Sequence, residues 1–240
     1  MRIYLIRHGD PNYKDNSLTP KGHIEAEALA RRLEHSIVKF TAIYASSYGR
    51  AIETAEHTAA RLGLDLQILG FMHEISYGVH GAPAEEKVLY SPWKAPADLV
   101  EQDVALPSYD YSGYWGYKGT RLEESENRVT RGFDKWLEET QGLRREGTRY
   151  VCSRENTGEI LIFCHGGVIS CLIGHLLNIG PLAGCMSFRI HTTGITTVEF
   201  RCEPGKTVLP IFKGISDFAH CENLVYDDPE KGCYGPDPLL

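Results

Sequence analysis

The chain has 240 residues, 42% of them hydrophobic and 24% charged, and a formal net charge of -7. That composition can fill one large core, and its charge balance excludes the clustered Lys and Arg that nucleic acid or an anionic membrane surface would require. No run of 18 apolar residues occurs, and the N-terminus begins directly on a strand-like run, so a cytoplasmic protein with no signal peptide is expected. Residues 2–6 are that run, and it ends in Arg7-His8-Gly9. Thr19 and Pro20 then mark a helix start, with Ile24, Ala28, Leu29 and Leu33 at helical spacing as its buried face. Residues 41–45 form a strand ending in Ser46-Ser47-Tyr48-Gly49-Arg50, followed by a helix over 51–62 and a short strand over 64–69.

From about residue 79 to 120 the alternation breaks. Pro83, Pro92, Pro96 and Pro107 interrupt it, and Trp93, Tyr109, Tyr111, Tyr114, Trp115 and Tyr117 make it too aromatic for disorder, so an inserted cap is expected. Its aromatics would pack on the core, bury a subunit interface or stack on a ligand, three readings the sequence leaves open. A helix pattern returns over 122–143 with Val129, Phe133, Trp136 and Leu137 on one side. The strand over 159–164 ends in His165-Gly166-Gly167, a helix follows over 168–177, and strands are predicted over 195–200 and 207–212. The seven cysteines form no Cys-x-x-Cys pair and are expected as reduced thiols, Cys164 and Cys171 inside, Cys202, Cys221 and Cys233 exposed.

Alternating strands and helices imply a three-layer α/β/α sandwich with a mainly parallel sheet, here taken as one domain over 1–240 with the cap inserted. In such sheets ligands sit beyond the carboxyl ends of the strands. Arg7, His8, Arg50 and His165 all fall there, a basic island in an acidic chain. Like charges repel, so the island makes sense around a multiply charged anion such as phosphate. Rival chemistries lack their signatures. No Arg stands six residues beyond Cys152 or Cys164, Gly9-Asp10-Pro11 does not open a Gly-x-Gly-x-x-Gly turn, and Gly-x-Ser-x-Gly is absent.

Arg7-His8-Gly9, Leu18-Thr19 with Gly22, Ser46-Ser47 with Arg50-Ala51 and Thr54-Ala55, Glu74 with Gly78, and Cys164-His165-Gly166-Gly167 together resemble the histidine phosphatase superfamily. These are the phosphoglycerate mutase-like proteins, with the acid phosphatase branch sharing the Arg-His-Gly motif. The resemblance implies a metal-independent phosphomonoesterase that needs no cofactor, acts on a small phosphorylated metabolite and forms a phosphohistidine on His8. It implies Arg7, Arg50 and His165 as phosphate ligands beside His8, and Glu74 as the acid that protonates the leaving oxygen. His165 is suited to donate to phosphate as a protonated ring; for Ser47 a role in shaping the pocket is open, with a serine turn the simpler account. A homo-oligomer is compatible with the pattern.

Two departures bear on activity. Residues 10–16 lead directly into Leu18-Thr19 without the longer stretch of the cofactor-dependent mutases, which favours hydrolysis over mutase-type phosphotransfer. Glu123-Glu124-Ser125 matches the family's Gly-Glu-Ser element only in part and is read as a helix start. Asn12 and Asn16 read as turn residues. A weakly active phosphate-binding regulatory or interaction protein is the remaining alternative.

Overall fold

The computed structural model describes residues 1–82, 91–93, 117–221 and 224, and side-chain alternation on two strands divides its core. Strand β1 (Arg2–Arg7) sends Ile3 and Leu5 to one apolar cluster and Tyr4 and Ile6 to the other; β8 (Glu159–Cys164) does the same with Ile160, Ile162 and Cys164 against Leu161 and Phe163. Strands buried on both faces must be covered on both faces. Helices α1 (Pro20–Glu34) and α2 (Gly49–Leu62) supply Leu29, Leu33 and Ala55 to the second cluster. Helices α3 (Arg121–Trp136), α4 (Gly166–Leu176) and α5 (Pro181–Ser187) supply Val129, Phe133, Leu172 and Leu182 to the first. The predicted α/β/α sandwich is therefore the observed one.

The central sheet has six strands in the order β11-β9-β1-β8-β4-β5, with β4 at Ala42–Ala45, β5 at Leu66–Ile68, β9 at Ile195–Glu199 and β11 at Ile211–Asp217. The four strands β1, β8, β4 and β5 run parallel, while β9 and β11 close one edge antiparallel. After β1 the chain leaves toward the α1 side, and after the adjacent β8 it leaves toward the α4 side. Neighbouring strands whose connections depart to opposite faces open a crevice between their carboxyl ends. Arg7-His8 and His165 stand at its lips.

Helix α1 starts as predicted, Thr19 Oγ1 accepting from the Gly22 N–H at 3.1 Å with Pro20 at its first position. Its buried stripe is different: Gly22, Glu25, Ala26, Leu29, Ala30 and Leu33 face inward, whereas Ile24 is 41% exposed and lines a groove shared with α2. The helix expected over 122–143 also ends early. Five residues of π turn (Leu137–Gln141) follow α3, Gly142 at φ +74° stops it, and a hairpin of β6 (Leu143–Glu146) and β7 (Arg149–Cys152) turns at Gly147. The apolar period through Leu137 masked that glycine stop.

Smaller differences follow the same logic. The strand expected over 207–212 is split at Pro210: β10 (Thr207–Val208) pairs with β7, and β11 joins the main sheet. Residues Pro11–Asn12 (β2) and Ser17–Leu18 (β3) form a small hairpin over the strand ends. Cys202 and Cys221 are buried, contrary to expectation, Cys202 joining the cluster that contains Phe200; Cys233 lies outside the described residues. Of the expected cap only 79–82, 91–93 and 117–120 are described, so Tyr109, Tyr111, Tyr114 and Trp115 lie outside them. Among the described residues, no helix is long and apolar enough to cross a membrane.

Candidate active site

The parallel register pairs Arg7 with Cys164, so the next residue on each strand is a histidine, and the rings of His8 and His165 lie 5.1 Å apart between centroids. Both are buried. A Cβ on Gly9 would lie 2.6 Å from the Gly22 carbonyl oxygen, so only glycine lets the first turn of α1 press against this strand end. The freed Gly9 N–H donates to Thr54 Oγ1 at 3.0 Å, and that hydroxyl donates to the Arg50 carbonyl at 2.7 Å. One threonine thus ties the end of β1 to the start of α2, which delivers the buried Arg50 into the crevice.

His8 Nδ1 is 2.7 Å from the Gly9 carbonyl oxygen, a contact that requires Nδ1 to carry the proton. Nε2 is then a lone-pair nitrogen, and Arg50 Nε donates to it at 3.1 Å. Burial, then the Arg7 charge, then Arg50 hold the ring's pKa well below the usual imidazole value, outweighing the Gly9 hydrogen bond. His8 is a neutral imidazole with a fixed tautomer. Arg50 Nη1 is anchored on Asn16 Oδ1 at 2.6 Å, and its guanidinium lies over the Tyr48 and Tyr13 rings, 5.0 and 5.4 Å from their centroids.

His165 is held differently. Its Nε2 meets Ser46 Oγ at 2.8 Å, while its Nδ1 is buried with no hydrogen-bond partner. Arg7 donates from Nη1 to the Ile190 carbonyl at 2.5 Å, and its Nε is likewise buried and unpartnered. Orphaned buried polar atoms are rare, and two at one crevice point to a missing acceptor. Burial drives the His165 pKa far down, and the charges of Arg50 and Arg7 add to it. These effects favour the neutral ring, and a phosphate dianion beside it would favour the protonated donor expected from the sequence.

Glu74 follows β5 and a single 3-10 turn (Gly70–Met72), on a loop fixed from behind. Arg128 of α3 donates to the carbonyls of Phe71 (2.6 Å), His73 (2.8 Å) and Glu74 (3.1 Å), and Ser125 Oγ accepts from the Ser76 N–H at 2.9 Å. Glu74 Oε1 accepts from the Ile75 N–H at 2.9 Å, and a Cβ on Gly167 would come within 2.7 Å of it. Burial raises the carboxyl's pKa, partly offset by the Ile75 N–H, by Arg7 and Arg50, and by the Gly167 N–H. Glu74 is thus biased toward its protonated form, beside the same two arginines.

All five predicted residues converge, and the supporting set is larger than the sequence suggested. Ser46, not Ser47, contacts His165; Ser47 is exposed. Asn16 is both a turn residue, at φ +56°, and the anchor of Arg50, while Asn12 only caps its own turn through Lys14. His73 stacks on Tyr48 at 5.5 Å, and Glu124-Ser125 and Arg128 do more than start a helix, since Ser125 and Arg128 position the Glu74 loop. The partial Gly-Glu-Ser match was the available signal for Ser125; Arg128 had none. Lys118 pairs with Glu123 at 3.2 Å.

A switch-point crevice that gathers two histidines and two arginines, with Arg7 Nε and His165 Nδ1 buried and unpartnered, is the arrangement of an anion-binding α/β protein. The sequence model of the histidine phosphatase superfamily (branch 1) matches residues 3–209, and the chain belongs to that family. Among its relatives, a Hydrogenobacter thermophilus protein bearing the provisional name phosphoserine phosphatase 2 is 27% identical over 222 residues, covering 86% of this chain and 93% of the relative. The 2,3-bisphosphoglycerate-dependent phosphoglycerate mutase of Bartonella tribocorum is 36% identical over 88 residues, which cover 32% of this chain and 43% of that protein. The structure of Entamoeba histolytica phosphoserine phosphatase in complex with 3-phosphoglyceric acid superposes with a TM-score of 0.58 at 19% identity, covering 91% of this chain and 98% of the other. At that identity the likeness concerns the fold.

Proposed function

We propose that the chain hydrolyses a small phosphomonoester without a metal, through a phosphohistidine on His8. The observation that carries this reading is the pair of buried unpartnered donors, Arg7 Nε and His165 Nδ1, around a histidine whose Nδ1 is already engaged by Gly9. A phosphoryl group placed there gives its oxygens to Arg7, Arg50 and His165. The Arg50 Nε–H leaves His8 Nε2 for a phosphate oxygen, freeing the nitrogen's lone pair to attack phosphorus. As the P–O bond to the leaving alcohol breaks, protonated Glu74 gives its proton to that oxygen. Glu74, now a carboxylate, takes a proton from water, whose oxygen attacks phosphorus, releases inorganic phosphate and returns neutral His8. Two guanidinium groups suit the spread negative charge of phosphoryl transfer. The phosphatase names among the relatives support the same reading.

The decisive assay is release of p-nitrophenol from its phosphate ester in EDTA. Turnover by the wild type that disappears in His8→Ala is expected; no turnover, or turnover only after adding a divalent metal, would overturn the mechanism. The partial match to a phosphoglycerate mutase favours one second reading, phosphotransfer between positions of a phosphoglycerate. It predicts isomerisation in the presence of a bisphosphorylated primer, where a hydrolase frees inorganic phosphate. We read the chain as a single domain over 1–240, with the segment 79–120 inserted in it.

A further inference from the structure

Helices α1 and α2 border an open, mainly apolar groove of about 390 Å³, lined by His23, Glu27, Ala28, Arg31, His57 and Leu224 among others, and sharing none of Arg7, His8, Arg50, Glu74 and His165 with the phosphate pocket. Within it His23 Nδ1 and His57 Nε2 lie 3.1 Å apart. The outer nitrogen of each ring faces a carboxylate: His57 Nδ1 is 3.3 Å from Glu27 Oε2, and His23 Nε2 is 3.8 Å from Glu53 Oε2.

We propose that His23 and His57 form a binding site for a first-row divalent cation of the zinc class, separate from the catalytic pocket. Two nitrogens 3.1 Å apart, each about 2.05 Å from one ion, subtend an angle of roughly 100°, between the cis angle of an octahedron and the tetrahedral angle. The ion sits beside the N–N line after a small rotation of the exposed His23 ring and the half-buried His57 ring. In the ion-free chain a single proton occupies that contact. Binding moves it from Nδ1 to Nε2 of His23, where Glu53 is the nearest acceptor, while His57 keeps its Nδ1 proton toward Glu27. No net proton is lost; Glu27 already stands within hydrogen-bond reach of His57 Nδ1, whereas Glu53 Oε2, which also accepts from the Leu18 N–H at 2.7 Å, lies 3.8 Å from His23 Nε2 and comes into reach only as that ring turns. Neutral imidazole is a preferred ligand for zinc, copper and nickel.

Two features bound the affinity. Among the described residues no group of three or more His, Cys, Asp and Glu is arranged to hold a metal, so water fills the remaining positions. Glu27 is also shared with Arg31 and Arg61, which weakens its pull on the ion. The site is therefore of moderate strength. When filled it cross-links α1 to α2.

Calorimetric titration of tag-free, EDTA-stripped and desalted protein with zinc chloride tests the proposal. One equivalent should bind the wild type, at least about tenfold more weakly to His57→Ala and to His23→Gln. Zinc should raise the thermal midpoint of the wild type and leave both variants unmoved. Both variants should retain wild-type circular dichroism and phosphatase turnover in EDTA, because neither residue lies in the phosphate pocket. No binding to the wild type, or equal binding to wild type and variants, would overturn the site. Either result leaves the EDTA assay of the phosphatase reading untouched.

Discussion

Two histidines end neighbouring strands, each is followed by glycine, and each is buried, yet they are built for opposite tasks. His8 spends its Nδ1 on the carbonyl of the next residue, a bond within its own loop, and keeps Nε2 as a lone pair. His165 spends its Nε2 on a serine from another strand end and keeps an unpartnered Nδ1. Sequence context makes the two look alike. In the proposed mechanism, what separates nucleophile from donor is which nitrogen the surroundings have already claimed.

The largest effect should fall on that distinction. His8→Ala should remove turnover by roughly 10⁴-fold or more and abolish acid-quenched phosphoprotein, whereas His165→Ala should still accumulate label on His8, at a rate lowered by about 10²–10³-fold. Label mapped to His165 would reverse the assignment. Glu74→Gln comes next, costing about 10²–10⁴-fold on alkyl phosphates and far less on p-nitrophenyl phosphate, whose leaving group needs no proton. Because the Glu74 pKa is raised, kcat/KM should fall on the alkaline side as the acid is lost, and the Gln variant should lack that limb.

A third test reads the pair through stability. Both imidazoles have folded pKa values below the unfolded value near 6.5, so the unfolded chain binds more protons as pH falls. The stability they confer is complete above about pH 6.5 and declines below it, by up to roughly 2 kcal/mol per histidine by pH 5. Urea melts at the two pH values, repeated on His8→Asn and His165→Asn, should show the slope shrinking in each variant. The smallest effect belongs to Ser46→Ala: it leaves His165 in place but untethered, and should slow turnover by no more than about tenfold. Loss comparable to His165→Ala would mean that the hydroxyl itself touches phosphate.

Most of the sheet was legible, as were Arg7, His8 and His165, which sit where an apolar run stops abruptly and a motif begins; Arg50, in the first turn of α2, and Glu74, beyond the 3-10 turn that follows β5, were marked only by their place in the motif set. Arg7-His8-Gly9 and His165-Gly166-Gly167 are local signals of that kind. Residues acting across space left no such mark. Arg128 grips three carbonyls from a helix more than fifty residues away in the chain, and nothing in the periodicity of α3 distinguishes it from a solvated arginine. Ser46 and Ser47 differ only in strand parity: Ser46 turns inward beneath His165 and its neighbour turns out, a choice that depends on where β4 stops. The ends of α3 and of the last strands were misjudged where a single Gly142 or Pro210 outweighed a persistent hydrophobic pattern.

The Arg50 Nε–H that rests on His8 Nε2 has a consequence beyond charge stabilisation. In the proposed mechanism the His8 nucleophile is masked by the same guanidinium that recognises the phosphate. Only a ligand able to offer the guanidinium a better acceptor unmasks it, so an oxyanion is screened twice, once for fitting and once for releasing the safety catch. A neutral electrophile that reaches the same crevice meets a histidine whose lone pair is still engaged.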